Sequence, residues 1–348
     1  MVSSNKTNQN DANGCLVIAI LAIFSFFSLP EICNAANTEL EKLIEGAKKE
    51  KEVNFYYSGG IEDGTVVVQK FEKKYPFLKV NFYRAGGEKL LIKVMAEVQA
   101  KKYAADVIFA LGSSMHIFRK AGILEKYVSP EDRFYAEEFK EYGYWITNYV
   151  NAYVNSFNTK LVPKNLLPKT YEDLLHPRWK GKMMIDSTKI DWFMGMLQIM
   201  GKDKGLSWME GLSRQNLSHR IGHTLICQLV ASGEAELSIN QTTTAVDRLG
   251  RVGAPLDWVA LGPVPGITMG SGIGIHSPHP NAARLLNDFL LSEEGENTWA
   301  SFQRMPVRND VPQSEKFKRL KIVPLDPSLL DNIKEYLQQL RNIFGKHG

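Results

Sequence analysis

Cysteine is scarce in this chain. There are three in 348 residues, and two of them, Cys15 and Cys33, fall in the first 35. A disulfide framework is therefore excluded for the remainder, which must be held by its own core, as a chain of this length can be. Cys227 sits in the apolar run "TLICQLV" and reads as a packing residue. No block of lysine and arginine is present, and a net charge of +4 is slight, so nucleic acid is not the expected partner. The motifs of common enzymes are missing too. There is no G-x-S-x-G elbow, since "LGSSM" and "MGSGIG" carry their glycines at the wrong offsets. There is no P-loop, and no G-x-G-x-x-G follows a strand. No catalytic residue and no cofactor is expected.

A long apolar run is also missing. The longest, Cys15 to Leu29, has 15 residues, short of the ~20 a membrane span needs. It is followed by Pro30 and by "CNA|AN", with small residues at Cys33 and Ala35. This pattern predicts a secretory signal peptide over residues 1–35, cleaved near Ala35, and hence a periplasmic protein. The weakly basic leader, with Lys6 its only cation, leaves an uncleaved N-terminal anchor as the alternative. No lipobox precedes either cysteine.

What is there is an alternation of two periodicities. "TELEKLIEGAKKE" has helical spacing, "EVNFYYS" reads as a strand, "TVVVQKFEKKYP" as a helix stopped by Pro76, and "LKVNFYRA" as a second strand. A helix follows over 88–102, with Leu91, Val94, Met95 and Val98 as its inner face. The strand "ADVIFAL" and the helix "SSMHIFRKAG" come next. Such alternation predicts a mainly parallel sheet covered on both faces, with ligands at the carboxyl ends of its strands. Two of those ends carry Ser58-Gly59-Gly60 and Gly112-Ser113-Ser114. In both, glycine would allow close approach and serine would cap a helix beside free N–H groups. Either could also be an ordinary capped turn.

From Tyr144, "YWITNYVNAYVNSFNT" reads as an extended segment leaving this first unit, and Pro163 and Pro168 punctuate a loop. A second α/β unit follows, with strands "GKMMIDS" and "AELSIN" and helices over 192–201, 205–213, 224–233 and 243–251. Then come a Gly/Pro-rich stretch, "ALGPVPGITMGSGIGIHS", one helix over 280–302 and an amphipathic helix from Pro327 to Phe344. His219 and His223 form an H-x-x-x-H pair, but it lacks the glutamate of H-E-x-x-H and contains Gly222, so no metal site is expected. Gly222-His223-Thr224 reads instead as a helix opening with Thr224 as N-cap, suited to an anionic group.

The second unit carries something more specific. "TYEDLLHPRWKGKMMID", "GHTLICQLVASGEAELSIN" and "SPHPNAARLLNDFLLSEEGENTWA", with "NFYYSGG", "KFEKKYPFLKV", "ADVIFA" and "MPVRNDV", resemble the extracellular solute-binding proteins of ABC importers. The most similar group is the one named for ferric-iron transport, which also holds thiamine, phosphonate and sugar-phosphate binders. The likeness covers residues 37–315.

The resemblance implies a two-lobe α/β fold of the periplasmic binding protein type II kind. Each lobe would be a mainly parallel sheet flanked by helices, with two crossover strands. Lobe 1 would take residues 36–155, lobe 2 residues 156–272, and the return to lobe 1 with C-terminal helices residues 273–348. It implies a monomer that captures a small polar or anionic solute between the lobes by hinge closure and delivers it to an inner-membrane permease. Position alone puts Ser58, Gly59, Gly60, Ser113 and Ser114 on one side of the cleft. Thr188, Trp192, His223, Thr224, Gln241, Thr242 and Thr243 would lie on the other. Trp192 could stack on a flat ligand or pack in the core.

Ferric-binding members carry adjacent tyrosines after the strand matching "ELSIN"; here Thr242 and Thr243 fall in that register. An aliphatic hydroxyl is far more basic than phenol, so Fe(III) would lack its anionic ligands. A ferric or metal-chelate binder is thus the second reading. An exported enzyme on the same fold, or a sensory or chaperone-like binding protein without a permease, remains a further alternative.

Overall fold

The structure, a computed structural model, describes residues 29–141 and 143–345. The apolar run of the expected signal peptide lies almost wholly outside the described residues. The first described helix, α1 (Leu29–Glu50), starts earlier than the helix expected from Thr38 and passes Ala35 without a break. The chain divides into two compact units, Met1–Glu41 and Lys42–Gly348, and all the described strands lie in the second.

The first part of that second unit alternates as the periodicity predicts: β1 (Glu52–Tyr57), α2 (Ile61–Lys74), β2 (Lys79–Arg84), α3 (Gly87–Gln99), β3 (Val107–Leu111) and α4 (Gly112–Lys120). The buried face of α3 is Leu90 and Val94, with Leu91 and Val98 partly covered. Met95 is turned outward, because residues one helical turn apart from Leu90 define the inner stripe. Then come β4 (Lys140–Glu141) and β5 (Trp145–Asn158), a single strand of 14 residues.

The second part contains β6 (Met183–Ile185), α5 (Ile190–Met200), α6 (Lys202–Ser213), β7 (Ser218–His219), α7 (His223–Ser232), β8 (Leu237–Thr242), α8 (Thr243–Arg251) and β9 (Leu256–Val259). The Gly/Pro-rich stretch holds the ten-residue strand β10 (Val264–Ile273). Its glycines answer crowding: a Cβ on Gly270 would run into the Trp145 ring and the Ile146 carbonyl. The single helix expected over 280–302 is two, α9 (Pro280–Leu291) and α10 (Glu293–Ser301), because Ser292 leaves the helical path and caps the second through Gly295 N (3.2 Å). The chain ends with β11 (Met305–Pro306), α11 (Glu315–Lys318), β12 (Ile322–Pro324) and α12 (Ile333–Phe344).

The strands form one sheet in the order β2-β1-β3-β10-β5-β8-β6-β7, with β4, β9, β11 and β12 paired at its sides. β1, β2 and β3 are mutually parallel, and so are β6, β7 and β8. β10 runs antiparallel to β3 and β5, and β5 antiparallel to β8. The two parallel sets therefore point at each other along β5. Met269 pairs with both Leu111, the end of β3, and Tyr149; Thr242, the end of β8, pairs with Tyr153. Four residues of β5, about 13 Å at ~3.3 Å per residue, separate the carboxyl ends of the two sets.

Each set has its own core. Phe55, Tyr57, Phe109, Tyr149 and Trp299 pack on one side of the β1–β3 set. Trp192, Trp208, Leu237, Leu340 and Phe344 pack beside the β6–β8 set, so α12 is part of that core. Cys227 is a free, buried thiol among Ile226, Val230 and Val246, and burial pushes it up to about 12. Among the described residues no helix is long and apolar enough to cross a membrane.

Candidate functional site

The wall built on β1 and β3 begins at Ser58. Its N–H donates to Phe109 O (2.9 Å), and its buried hydroxyl has no partner among the described residues. Gly60, not a serine, is the N-cap of α2, in extended backbone with no side-chain cap. A Cβ at Gly59 would strike the Tyr57 ring and hydroxyl; one at Gly60 would meet Asp63 and come within 3.2 Å of Arg304 Nη2. The glycines are there for that close approach. Beneath them Tyr57 donates to Asp63 Oδ1 (2.9 Å), while Arg304 Nε and Nη2 donate to Asp63 Oδ2 (3.0 and 2.7 Å). The Arg304 guanidinium lies 5.2 Å from the Tyr149 ring centre. Burial pushes the Tyr149 phenol up to about 12. Ser113 and Ser114 are not caps either: α4 starts at Gly112 with Leu111 as N-cap, so Ser113 sits in the first turn and Ser114 is buried. Arg304 and Asp63 escaped the sequence reading because their pairing spans 241 positions.

The opposite wall is built on β6, β8 and the starts of α5, α7 and α8. Asp186 is fully buried and braces the loop. Its Oδ1 accepts from Thr188 N (3.1 Å) and Oγ1 (2.5 Å); its Oδ2 accepts from Gly222 N (2.9 Å) and pairs with Lys189 (3.3 Å). Burial raises its pKa, but those hydrogen bonds and the Lys189 charge outweigh it and hold the carboxyl below its ordinary value. The Thr188 hydroxyl is thus already engaged. The N-cap of α7 is Gly222, at φ +101, a conformation that favours glycine. Thr224, expected in that role, is exposed on the helix, and its Oγ1 accepts from Arg248 Nη2 (2.7 Å).

His223 lies 6.1 Å, ring to ring, from Tyr153. Its Nδ1 meets Gln241 Oε1 at 3.1 Å, and Gln241 Nε2 donates to Ile239 O (2.8 Å), which orients the amide. Nδ1 therefore carries the proton and Nε2 is left as an acceptor. Burial, reinforced by the Lys189 charge, holds the imidazole down to about 4, so it is neutral at pH 7. Gln241 is fully buried and acts as the orienter. The three threonines divide their roles. Thr242 caps α8 through Ala245 N (3.3 Å), the buried Thr243 hydroxyl has no partner, and Thr244 donates to Asn151 Oδ1 (2.7 Å) in the middle of β5. Trp192 is not placed to stack on a ligand. It is 3% exposed and packs against Trp208 and Phe344, with ring centres 6.2 and 6.3 Å away.

Between the start of α4 and the start of α5 lies a cavity of about 160 Å³, lined by Gly112, Ser113, Trp145, Thr147, Asp191 and Thr268 among others. Of the residues expected at the site, only Ser113 lines it. Among the described residues no group of three His, Cys, Asp or Glu could hold a metal ion. Among the described residues four helices that follow strands into this region, α2, α4, α5 and α7, begin without a side-chain cap. The first N–H of α5, Ile190 N, donates to Thr188 O (3.0 Å), and the other helix starts keep N–H groups as donors.

A profile of the bacterial extracellular solute-binding proteins matches residues 103–324. The chain belongs to this family. It is 25% identical over 203 residues to the iron uptake protein A1 of Synechocystis, a match covering 56% of this chain and 55% of that protein. Among solved structures, iron-bound HitA from Pseudomonas aeruginosa superposes with a TM-score of 0.74 at 20% identity, covering 84% of this chain and 99% of HitA. AfuA from Actinobacillus pleuropneumoniae, with fructose-6-phosphate bound, gives 0.70 at 22% identity over 85% and 99%. The Trichodesmium protein FutA with iron and citrate gives 0.70 at 21% over 83% and 99%. The fold is the two-lobe, type II periplasmic binding protein fold, and β5 and β10 are its crossover strands.

Proposed function

We propose that the protein is the substrate-binding component of an ABC importer. It captures a small polar solute bearing an anionic group and delivers it to an inner-membrane permease, without chemistry. On this reading it is a monomer, exported to the periplasm with its signal peptide removed near Ala35. Its lobes divide near residues 155 and 272, and the cleft between them is the site. One observation carries the proposal. Where the two parallel strand sets meet, four helices start uncapped and the buried hydroxyls of Ser58 and Thr243 have no partner among the described residues. Free N–H groups at helix starts and unpaired hydroxyls suit a phosphate, phosphonate or carboxylate. Of the expected residues, Ser58, Gly59, Gly60, Ser113, His223 and Thr243 are assigned to the solute, and Gln241, Thr242 and Thr188 to supporting them.

The names of the relatives favour iron as the second reading, and Tyr149 and Tyr153 lie on β5 level with the carboxyl ends of the two strand sets, buried in the cores. Both phenols are pushed up by burial, and Thr242 and Thr243 cannot ionise in their place. A thermal-shift panel of glucose 6-phosphate, ethyl phosphate, citrate and Fe(III) citrate separates the two, because a ligand of the native state raises its stability. Stabilisation by a phosphorylated or carboxylated probe without metal is expected. Stabilisation by Fe(III) alone, with a visible phenolate charge-transfer band, would establish the iron reading instead.

A further inference from the structure

The geometry points to a second recognition element in the same cleft: Asp191 receives an ammonium group of the solute, so the cargo carries a cation as well as an anion. This rests on the solute-binding reading above and adds the second half of the ligand. Asp191 lies in the first turn of α5 and lines the 160 Å³ cavity. Among the described residues its carboxylate makes no hydrogen bond and no ion pair. The nearby cation, Lys189, is committed to Asp186 at 3.3 Å. Of the other charged groups lining the cavity, Glu138 is exposed and has no ion pair among the described residues, while Lys140, Glu137 and Glu141 are compensated. Lys140 pairs with Asp132 (2.8 Å) and Glu137 (3.0 Å), and Glu141 accepts from Trp145 Nε1 (2.6 Å) and pairs with Arg119. Asp191 is half-buried, so its unpaired carboxylate carries a partial desolvation cost, and that burial raises its pKa. The cost is offset when a charged donor enters.

The rest of the lining fits such a group. The hydroxyls of Ser113, Thr147 and Thr268 have no partner among the described residues and can accept the remaining ammonium protons. Trp145 and Ile267 give an apolar wall for the carbon that bears it. The Tyr153 phenol feels the Asp191 charge and links this cavity to the His223 wall, where the Nε2 acceptor also favours a donor-bearing ligand.

The test is calorimetric titration of the purified protein with matched probes: phosphoethanolamine against ethyl phosphate, and glucosamine 6-phosphate against glucose 6-phosphate. The aminated member is expected to bind about ten-fold or more tightly, the size of one charge-assisted hydrogen bond. Asp191→Asn should abolish that preference and leave the parent anion's affinity within about two-fold. The same variant should raise the melting temperature of the free protein, which a residue that holds the fold together would not do. Equal affinity within both pairs, or a preference that survives Asp191→Asn, overturns the assignment while leaving the anion reading intact. Binding by none of the four probes overturns both.

Discussion

His223 offers a prediction whose sign and size follow from its surroundings. Its imidazole is held at about 4, against an ordinary value of 6.5, because burial penalises the charged form and Lys189 adds to the penalty. The folded protein therefore binds the proton less well than the unfolded chain, and acid favours unfolding. The contribution is complete above pH 6.5 and is lost as the pH falls through 6.5 towards 4. The linkage relation gives a loss of about 2 kcal/mol by pH 5 and about 3 kcal/mol by pH 4. Other carboxyls titrate in the same window, so the comparison must be with His223→Gln, which keeps a polar side chain but not the titration. Urea unfolding of both proteins at pH 7 and pH 5 isolates the term. The wild type should lose about 2 kcal/mol more than the variant over that interval. Parallel losses would mean that the imidazole is free to charge in the folded state, and the reasoning about its burial and tautomer would fail with it.

Three further outcomes test other parts of the structure. Phe344→Ala should cost about 3 kcal/mol or more in urea unfolding, since the ring is 1% exposed and packs on Trp192; a loss under about 1 kcal/mol would mean that α12 is not docked on α5. Arg304→Met should cost about 3–5 kcal/mol in urea unfolding by leaving the buried Asp63 carboxylate without its cation, and a loss under about 1 kcal/mol would mean that the pair is not formed. Ser58→Ala and Thr243→Ala should leave the stability of the free protein within about 1 kcal/mol, since neither hydroxyl has a partner to lose. Their effect should instead appear as weaker binding of the anionic probe in titration, and unchanged affinity would remove both from the site.

The alternation of strands and helices was legible because it rests on local periodicity, and the long β5 showed as an unbroken extended run. What escaped depends on contacts distant in sequence. β10 carries no strand periodicity of its own, because its glycines, local signs of flexibility, answer the bulk of Trp145 and Ile322 on neighbouring strands. Thr224 looks like a better cap than Gly222, yet the Gly222 N–H goes to Asp186 and that turn needs a positive φ. Trp192 follows Asp191 by one residue, and only the helical rotation between them sends the indole to the core and leaves the carboxylate at the cavity. No spacing rule distinguishes those two outcomes without knowing which face of α5 the sheet covers.

That division also bears on selectivity. Most full charges near the crossover strands are already spent within the protein: Arg304 on Asp63, Lys189 on Asp186, Lys140 on Asp132 and Glu137. What faces a solute is then mainly partial charge, from helix-start N–H groups and hydroxyls, which are fixed in place and need no large desolvation on each cycle of capture and release. On the proposed reading such a lining would hold an oxyanion while giving a bare cation no anionic donor of the phenolate kind. Asp191 and the exposed Glu138 are the exceptions at the cavity, having no ion pair among the described residues. A solute that presents an anion to the starts of α2 and α7 would then place its opposite end towards Asp191, so that this carboxylate would set orientation as well as affinity. The aminated and parent probes therefore differ in a second way: Asp191→Asn should make the protein tolerate both, turning a selective cleft into a general oxyanion binder.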